Sequence, residues 1–235
     1  MKIEIWSDYV CPFCYIGKRR LEEALQETNL GDQVEVEFKA FQLDPNTAVG
    51  AGGSVPQYLA EKYSISMDEA KNMLGNVAAQ AKTVGLDFDI DNMVGANTFD
   101  AHRLAKLAES EGKGAVVSER LLQGHFVNGE AVDNEDTLLA IAEGAGISKE
   151  RIKEVLQSDE FSNDVKRDIA EAGQLGVQGV PFFVINRKYA ISGAQPVEAF
   201  TEALKKVAAE EGIQPKLKVL GIDGQGVCAD DNCDI

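Results

Sequence analysis

The sequence has no long apolar run, few basic residues and only four cysteines, and each shortage narrows the classes of protein it can encode. No stretch approaches the roughly 20 apolar residues of a membrane-spanning helix. Lysine and arginine total 23 against 39 aspartate and glutamate residues, and the net charge of -16 argues against nucleic acid or an anionic membrane as the main partner. At 235 residues the chain can bury a sufficient core without disulfide staples, so its cysteines need not be structural.

The cellular location that the sequence favours is the cytoplasm. The first residues, Met1 to Trp6, include an acid and lack a small-residue cleavage site, so no signal peptide is expected there. In the cytoplasm glutathione and thioredoxin keep most thiols reduced, and a retained cysteine pair is more often catalytic, redox-sensing or metal-binding than structural. We therefore expect the cysteines to carry chemistry.

The first 40 residues predict a strand, a helix and a second strand. Polar and apolar side chains alternate from Lys2 to Trp6, which favours a short strand. A helical pattern begins at Pro12, and Gly31 is its predicted stop signal. The alternation returns from Val34 to Phe38. This βαβ order is the parallel unit of an α/β fold.

A long helical segment separates this unit from the end of the chain. Between about residues 55 and 175, successive segments show helical spacing and almost nothing predicts a strand. The segment 180–193 then predicts two strands joined by a tight turn at Asn186 and Arg187, and a last helix follows Pro196. We therefore predict an α/β fold with four parts: residues 1–50 (βαβ), 51–175 (an inserted all-helical domain), 176–212 (ββα) and 213–235 (a C-terminal tail).

Two cysteines fall where the first strand gives way to the first helix. With Cys11 as the helix N-cap, Pro12 takes the first helical position, where its missing N–H does no harm, and Cys14 lies one turn inside on the same face. Free N–H groups and the helix dipole stabilise a thiolate at Cys11. We therefore predict that Cys11 attacks a partner disulfide and that the shielded Cys14 resolves the mixed disulfide.

A proline far along the chain supports this site. In GVQGVPFFVIN, Pro181 stands directly before an apolar strand, where a cis Val180–Pro181 bond would make a tight turn. Such a turn could lie beside the thiols and offer the backbone of Val180 to an extended substrate. Pro12 and Phe13, between the two cysteines, complete the predicted substrate-binding residues.

The chain resembles the DsbA family of thioredoxin-fold proteins, and more narrowly its cytoplasmic FrnE-like branch, in three motifs: WSDYVCPFCYIGK, NTFDAHRL and GVQGVPFFVIN. The resemblance covers about residues 1 to 212. That branch is related to kappa-class glutathione transferases and to 2-hydroxychromene-2-carboxylate isomerases. The resemblance implies a thioredoxin fold with an inserted helical domain, a nucleophile at Cys11, a resolving thiol at Cys14 and a cis proline at Pro181.

Four further positions are interpreted through this resemblance. Asn97 and His102 match the NTFDAHRL stretch, so we expect them near the thiols, without a catalytic role. Cys228 and Cys233, with the spacing C-x4-C, look like a feature of some FrnE-like proteins. They could be a second redox pair, a pair of zinc ligands or incidental surface thiols.

One position departs from the pattern of the family. Periplasmic DsbA has histidine between the proline and the second cysteine, whereas this chain has Phe13, which cannot hydrogen-bond a thiolate. We therefore predict that the Cys11/Cys14 pair is less oxidising than that of DsbA.

Three functions are compatible with these patterns. The first is a cytoplasmic protein disulfide oxidoreductase or isomerase that acts on protein or peptide thiols and disulfides, with glutathione or thioredoxin as further partners. It needs no metal and no bound cofactor, and glutathione would be a co-substrate. The second is a glutathione-dependent isomerase or transferase of small molecules. Cys11 argues against this function, because those relatives usually have serine at that position. The third is a non-enzymatic zinc module of four cysteines.

Overall fold

A computed structural model describes residues 1–214 of the chain, and its strands form one four-stranded sheet. The strands of this part are β1 (Lys2–Ser7), β2 (Glu35–Ala40), β3 (Phe182–Ile185) and β4 (Tyr189–Ser192). Their order in the sheet is β2-β1-β3-β4, with β1 parallel to β2 and antiparallel to β3, and β3 antiparallel to β4. The two ends of the chain therefore meet along β1 and β3, and the predicted α/β fold class is confirmed.

Helices cover both faces of this sheet and fill the segment between its two halves. Their bounds in the described residues are α1 (Pro12–Thr28), α2 (Val55–Tyr63), α3 (Met67–Lys82), α4 (Phe99–Ser110), α5 (Gly114–Phe126), α6 (Glu135–Gly144), α7 (Lys149–Leu156), α8 (Ser162–Gln174) and α9 (Val197–Glu211). None of these helices is both long and apolar enough to cross a membrane.

The alternation of side chains along β1 divides the sheet into two buried faces. Ile3 and Ile5 lie in a core that includes Phe183 and Phe200, under α1 and α9. Trp6 points to the opposite face and packs against α8. A strand residue and its neighbour always face opposite sides. The last helix of the inserted segment thus covers the sheet as α1 and α9 do on the other side.

Helix α1 belongs to two hydrophobic cores at once. Leu21 and Ala24 pack under the sheet. Tyr15 and Ile16 pack into the core of the helical segment, beside Phe126. Because its first turns pack into one core and its later turns into the other, helix α1 is held at the junction of sheet and helical segment.

The structure corrects one predicted helix end and confirms the predicted hairpin turn. Helix α1 ends at Thr28, three residues before Gly31, because Asn29 adopts the left-handed conformation (φ 55°) and its N–H bonds back to the last turn. Asparagine tolerates this conformation better than most residues. Asn186 and Arg187 both have positive φ and join β3 to β4. The limits predicted for the four parts, at residues 50, 175 and 212, stay predictions.

Buried Asp168 of α8 ties the helical segment to β2. Its Oδ2 atom accepts a hydrogen bond from the backbone N–H of Ala40 at 3.1 Å and lies 2.8 Å from Nζ of Lys106. Nζ of Lys39 lies 3.5 Å from its Oδ1 atom, and the Trp6 indole donates to its backbone carbonyl at 2.9 Å. A buried carboxylate with this many partners is costly to remove, because its loss leaves the buried Ala40 N–H without an acceptor and takes one counter-ion from each of two lysines.

We therefore expect Asp168→Ala to lower the free energy of unfolding by about 3 kcal/mol, measured by urea denaturation. Asp164→Ala, on the same helix, is the matched control. Asp164 pairs with the exposed Arg167 at the helix surface, so its loss should leave the urea midpoint almost unchanged. Equal effects of the two substitutions would show that Asp168 does not hold the helical segment to the sheet.

Candidate active site

The backbone places Cys11 at the tip of helix α1. Strand β1 ends at Ser7, and a turn follows in which the Cys11 N–H donates to the Asp8 carbonyl at 3.1 Å. Cys11 is the N-cap of α1, in an extended conformation, and Pro12 opens the helix. The Cys11 side chain accepts no hydrogen bond from the first turn within the described residues, so the helix acts on this thiol through the positive end of its dipole.

Cys14 lies one turn into the helix, and its environment disfavours a second negative charge. Burial raises the pKa of the Cys14 thiol well above its usual value, and the hydrogen bond and charge of Cys11 raise it further. The Ser7 side chain and the Asp8 N–H, 3.5 Å from Sγ, oppose this shift. Both thiols are buried, with 4% of Cys11 and 3% of Cys14 exposed, so accessibility does not distinguish them. What distinguishes them is which thiol is stabilised as a thiolate.

The turn before β3 covers the dithiol. The Val180–Pro181 peptide bond is cis, as the sequence predicts. The Cys11 thiol donates to the Val180 carbonyl at 3.5 Å, across 169 positions of sequence. The Pro181 carbonyl accepts the Gly193 N–H at 2.8 Å, which fixes the turn to the end of β4. Among residues 1–214 the N–H of Val180 has no hydrogen-bond partner, so it is available to a bound chain.

Gly17 allows this close approach, and the sequence patterns did not single it out. A Cβ atom at Gly17 would lie 3.0 Å from Cγ of Pro181 and 3.1 Å from Cζ of Phe183. Helix α1 therefore packs against the cis-proline turn through a residue without a side chain, and an added Cβ would require the Pro181 or Phe183 side chain to shift by a few tenths of an ångström. The available signal was a glycine inside a helical pattern, which costs about 1 kcal/mol relative to alanine and needs a reason.

The predicted substrate-binding residues lie at the rim of this site. Phe13 is 38% exposed beside the two thiols, whereas Pro12 and Val180 are half-buried. Leu43, in the loop after β2, is 43% exposed, and its backbone N–H donates to the Asp8 carboxylate at 2.8 Å. One exposed apolar side chain thus stands between the two cysteines, and another belongs to the loop that binds Asp8.

The two polar residues of the NTFDAHRL stretch lie in different places relative to the thiols. The Nε2 atom of His102 is 3.4 Å from the Asp8 carboxylate, and Asp8 itself contacts Cys14 through its backbone. Asn97 donates to the Thr47 carbonyl at 2.7 Å, and none of its hydrogen bonds within the described residues reaches a cysteine. Asp8 is the second residue of this site that sequence reasoning missed.

The structure tests metal binding only within residues 1–214, and it does not describe the cysteine pair of the tail. In residues 1–214, no group of three or more histidine, cysteine, aspartate or glutamate side chains is placed to hold a metal ion. Cys228 and Cys233 lie outside the described residues, so their roles stay predictions.

Residues 2–205 match the sequence profile of the DSBA-like thioredoxin domain. The chain belongs to this family. Membership in the DSBA-like family confirms the resemblance to DsbA proteins and supports thiol–disulfide oxidoreductase activity in general.

Three relatives of this DSBA-like protein illustrate the range of the similarity. The structure of SCO1869, a probable DsbA oxidoreductase from Streptomyces coelicolor, is 38% identical with a TM-score of 0.85, and the match covers 97% of this chain and 100% of SCO1869. The uncharacterized protein YwbO of Bacillus subtilis (strain 168) is 28% identical over 207 residues, which are 86% of this chain and 94% of YwbO. The cytosolic disulfide reductase DsbM from Pseudomonas aeruginosa shares the fold at 18% identity, with a TM-score of 0.63 over 89% of this chain and 100% of DsbM.

We expect Gly17→Ala to lower the free energy of unfolding by about 2 kcal/mol and to slow disulfide exchange, because the added methyl group pushes the cis-proline turn away from Cys11. Urea denaturation and an exchange assay measure the two effects. Gly75→Ala is the matched control, since Gly75 is a helical glycine whose added Cβ would meet nothing within 4 Å. The control should stabilise the protein by up to about 1 kcal/mol. A similar gain at Gly17 would show that the close approach has no role.

Proposed function

We propose that this DSBA-like protein is a protein thiol–disulfide oxidoreductase and isomerase in which Cys11 attacks and Cys14 resolves. The observation that carries this proposal is the unequal environment of the two thiols. Cys11 lies at a helix N-terminus, whose dipole favours a thiolate, whereas burial and the neighbouring Cys11 raise the pKa of Cys14. One thiol is therefore suited to ionise first and the other to remain protonated until needed.

The exchange proceeds in two balanced steps. The Cys11 thiolate attacks one sulfur of a substrate disulfide, a mixed disulfide forms, and the other substrate sulfur leaves as a thiolate that takes a proton. Cys14 then loses its proton and attacks Sγ of Cys11, which forms the Cys11–Cys14 disulfide and releases the second substrate thiolate. The substrate gains two electrons and the protein dithiol loses two. The same steps in reverse oxidise a substrate dithiol, and an isomerase uses the first step in both directions.

The rim of the site favours an extended polypeptide as substrate. Within the described residues the N–H of Val180 is unpaired, and it can donate a hydrogen bond to a backbone carbonyl of a bound chain, as at the edge of a sheet. Phe13, between the two cysteines, offers exposed apolar surface, as does Leu43 in the loop whose backbone N–H binds Asp8. These features support protein or peptide disulfides as the substrate class.

The remaining parts of the proposal concern partners and location. We propose that the protein works in the cytoplasm and exchanges disulfides with glutathione or thioredoxin. The cytosolic disulfide reductase DsbM, which shares the fold and has also been solved with GSH, is consistent with this proposal. Cysteine at position 11, followed by Cys14, favours dithiol exchange over a glutathione-dependent isomerase or transferase. The zinc module and the second redox pair both depend on Cys228 and Cys233, and they stay predictions.

We expect Cys11→Ser to abolish insulin reduction and the refolding of a protein with scrambled disulfides, because no attacking thiolate remains. Cys14→Ser should keep the first attack and accumulate mixed disulfides with its partners, detected by mass spectrometry. The matched control is the full-length chain with both Cys228→Ser and Cys233→Ser, which should retain single-turnover attack. Substantial activity in the Cys11→Ser protein would refute the assignment of the nucleophile.

A further inference from the structure

The rim loop, residues 41–54 between β2 and α2, leaves the sheet beside the dithiol. Strands β1 and β2 are parallel, with Ser7 opposite Ala40, so both strands end at the same edge of the sheet. The Phe41 N–H still donates to the Ser7 carbonyl at 3.1 Å, which continues the pairing by one residue. The rim loop therefore begins next to the turn that leads to Cys11, at the edge where α/β sheets bind their ligands.

The rim loop and the Val180–Pro181 turn begin on opposite sides of β1. In the sheet β1 lies between β2 and β3. The rim loop follows β2, whereas the Val180–Pro181 turn precedes β3, which is antiparallel to β1 and pairs Phe182 with Trp6. A polypeptide bound across Cys11 therefore has these two segments as its flanking walls.

Leu43 is the residue of the rim loop that is tied to the dithiol turn. Its backbone N–H donates to the Asp8 carboxylate at 2.8 Å. The Asp8 carbonyl accepts the Cys11 N–H at 3.1 Å, and the Asp8 N–H lies 3.5 Å from Sγ of Cys14. The Leu43 backbone is fixed in this way, but its side chain is 43% exposed. It thus offers apolar surface that gains free energy when a bound molecule covers it.

Asn97, just before α4, holds the rim loop through both polar atoms of its side chain. Its Nδ2 atom donates to the Thr47 carbonyl at 2.7 Å. Its Oδ1 atom accepts from the Gln42 side chain at 3.4 Å and from the Phe99 N–H at 3.0 Å. The amide therefore ties loop positions before and after Leu43 to the start of α4.

Buried Asp133 adds a further anchor to the same loop. Its Oδ2 atom accepts the Gly50 N–H at 2.9 Å and the Asn97 N–H at 3.1 Å. Gly50, Gly52 and Gly53 make this part of the loop costly to order, because glycine loses more conformational freedom than any other residue. The anchors from the helical segment offset that cost and hold the loop in one position.

We propose that Leu43 is a specificity-determining residue that contacts an apolar side chain next to the substrate cysteine, and that Asn97 is the positioning residue that holds the rim loop for this contact. The proposal rests on the proposed dithiol function and adds which polypeptide disulfides are preferred. Leu43 is joined to both cysteines through Asp8 alone, so the side chain that it meets belongs to a residue adjacent to the attacked cysteine. A loop that is already ordered binds this side chain without a further entropy cost.

The test compares two peptides that differ only beside their cysteine. In each peptide the cysteine forms a mixed disulfide with nitrothiobenzoate, and its neighbours are leucine in one peptide and serine in the other. The same disulfide of 2-mercaptoethanol is the substrate without neighbouring side chains. The Cys11 thiolate attacks the peptide sulfur, a Cys11–peptide disulfide forms, and nitrothiobenzoate leaves with the electron pair as a coloured thiolate. The protein is the full-length chain with Cys228→Ser and Cys233→Ser.

This parent protein should react with the leucine peptide with a second-order rate constant about tenfold higher than with the serine peptide, which is the size of effect that one apolar contact gives. Equal rate constants for the two peptides would overturn the proposal and leave the dithiol function standing. Release of nitrothiobenzoate that is no faster than in the Cys11→Ser protein would instead refute the proposed function itself.

We expect Leu43→Ser to raise the half-saturating concentration of the leucine peptide by about fivefold or more, with little change in the maximum rate, because the lost contact serves binding. The serine peptide and the mercaptoethanol disulfide should change by less than about twofold. Val49→Ser is the matched control, since Val49 is 66% exposed in the same loop but follows the Thr47 anchor and adjoins Gly50. A preserved preference in Leu43→Ser, or an equal loss in Val49→Ser, would overturn the proposal.

Asn97→Asp tests the positioning role, because aspartate keeps the acceptor for the Phe99 N–H but cannot donate to the Thr47 carbonyl. It should weaken binding of the leucine peptide selectively, and its effect should not add to that of Leu43→Ser in the double variant. Ser148→Ala, which removes the N-cap of α7, is the control for a general loss of stability in the helical segment.

An unchanged preference in Asn97→Asp, equal slowing with all three substrates, or the same selective loss in Ser148→Ala would overturn the positioning role. Full additivity of Asn97→Asp and Leu43→Ser would overturn it as well. Leu43→Ser alters an exposed side chain, so it decides the proposal where Asn97→Asp does not fold.

Discussion

The close approach between the first turns of α1 and the Val180–Pro181 turn is the contact on which the site depends. It brings the Cys11 thiol to 3.5 Å from a carbonyl 169 positions away. The antiparallel pairing of β1 with β3 makes this possible, because it places the end of β1 beside the start of β3. Gly17 then lets the helix pack against Pro181 and Phe183. Without this contact the Val180 carbonyl would not lie beside the Cys11 thiol.

The enclosure of the dithiol has opposite effects on its two members. A helix N-terminus favours negative charge at Cys11, whereas burial disfavours it at Cys14. The helical segment contributes to this enclosure, because Tyr15 packs into its core and His102 reaches Asp8 from α4. The segment inserted between the two halves of the thioredoxin fold is thus part of the chemical environment of the thiols.

Features that depend on local sequence were predictable. A cysteine before Pro12 at the end of a strand fixes a helix N-terminus, and proline before an apolar strand predicts a cis bond, which the structure has. The turn at Asn186 and Arg187 follows from turn chemistry in the same way.

Features that depend on tertiary contacts were not predictable from one sequence. Nothing near Asp8 shows that its carboxylate is held by a loop and a helix from elsewhere in the chain. Gly17 is required only because Pro181 lies opposite it. Asn97 and His102 belong to one motif, yet only His102 reaches Asp8, because α4 begins between them at Phe99 and directs the two side chains to different neighbours.

The asymmetry between the two buried thiols is tested most directly by their alkylation with iodoacetamide in the reduced wild-type protein. Mass spectrometry follows each cysteine separately as the pH rises from about 5 to about 10. Cys11 should be modified first and with the lower pH midpoint, whereas Cys14 should stay unmodified until the pH is well above the ordinary range for a thiol, because burial and Cys11 raise its pKa. Modification of Cys14 before Cys11, or of both with one common midpoint, would contradict the division of roles between an attacking and a resolving thiol.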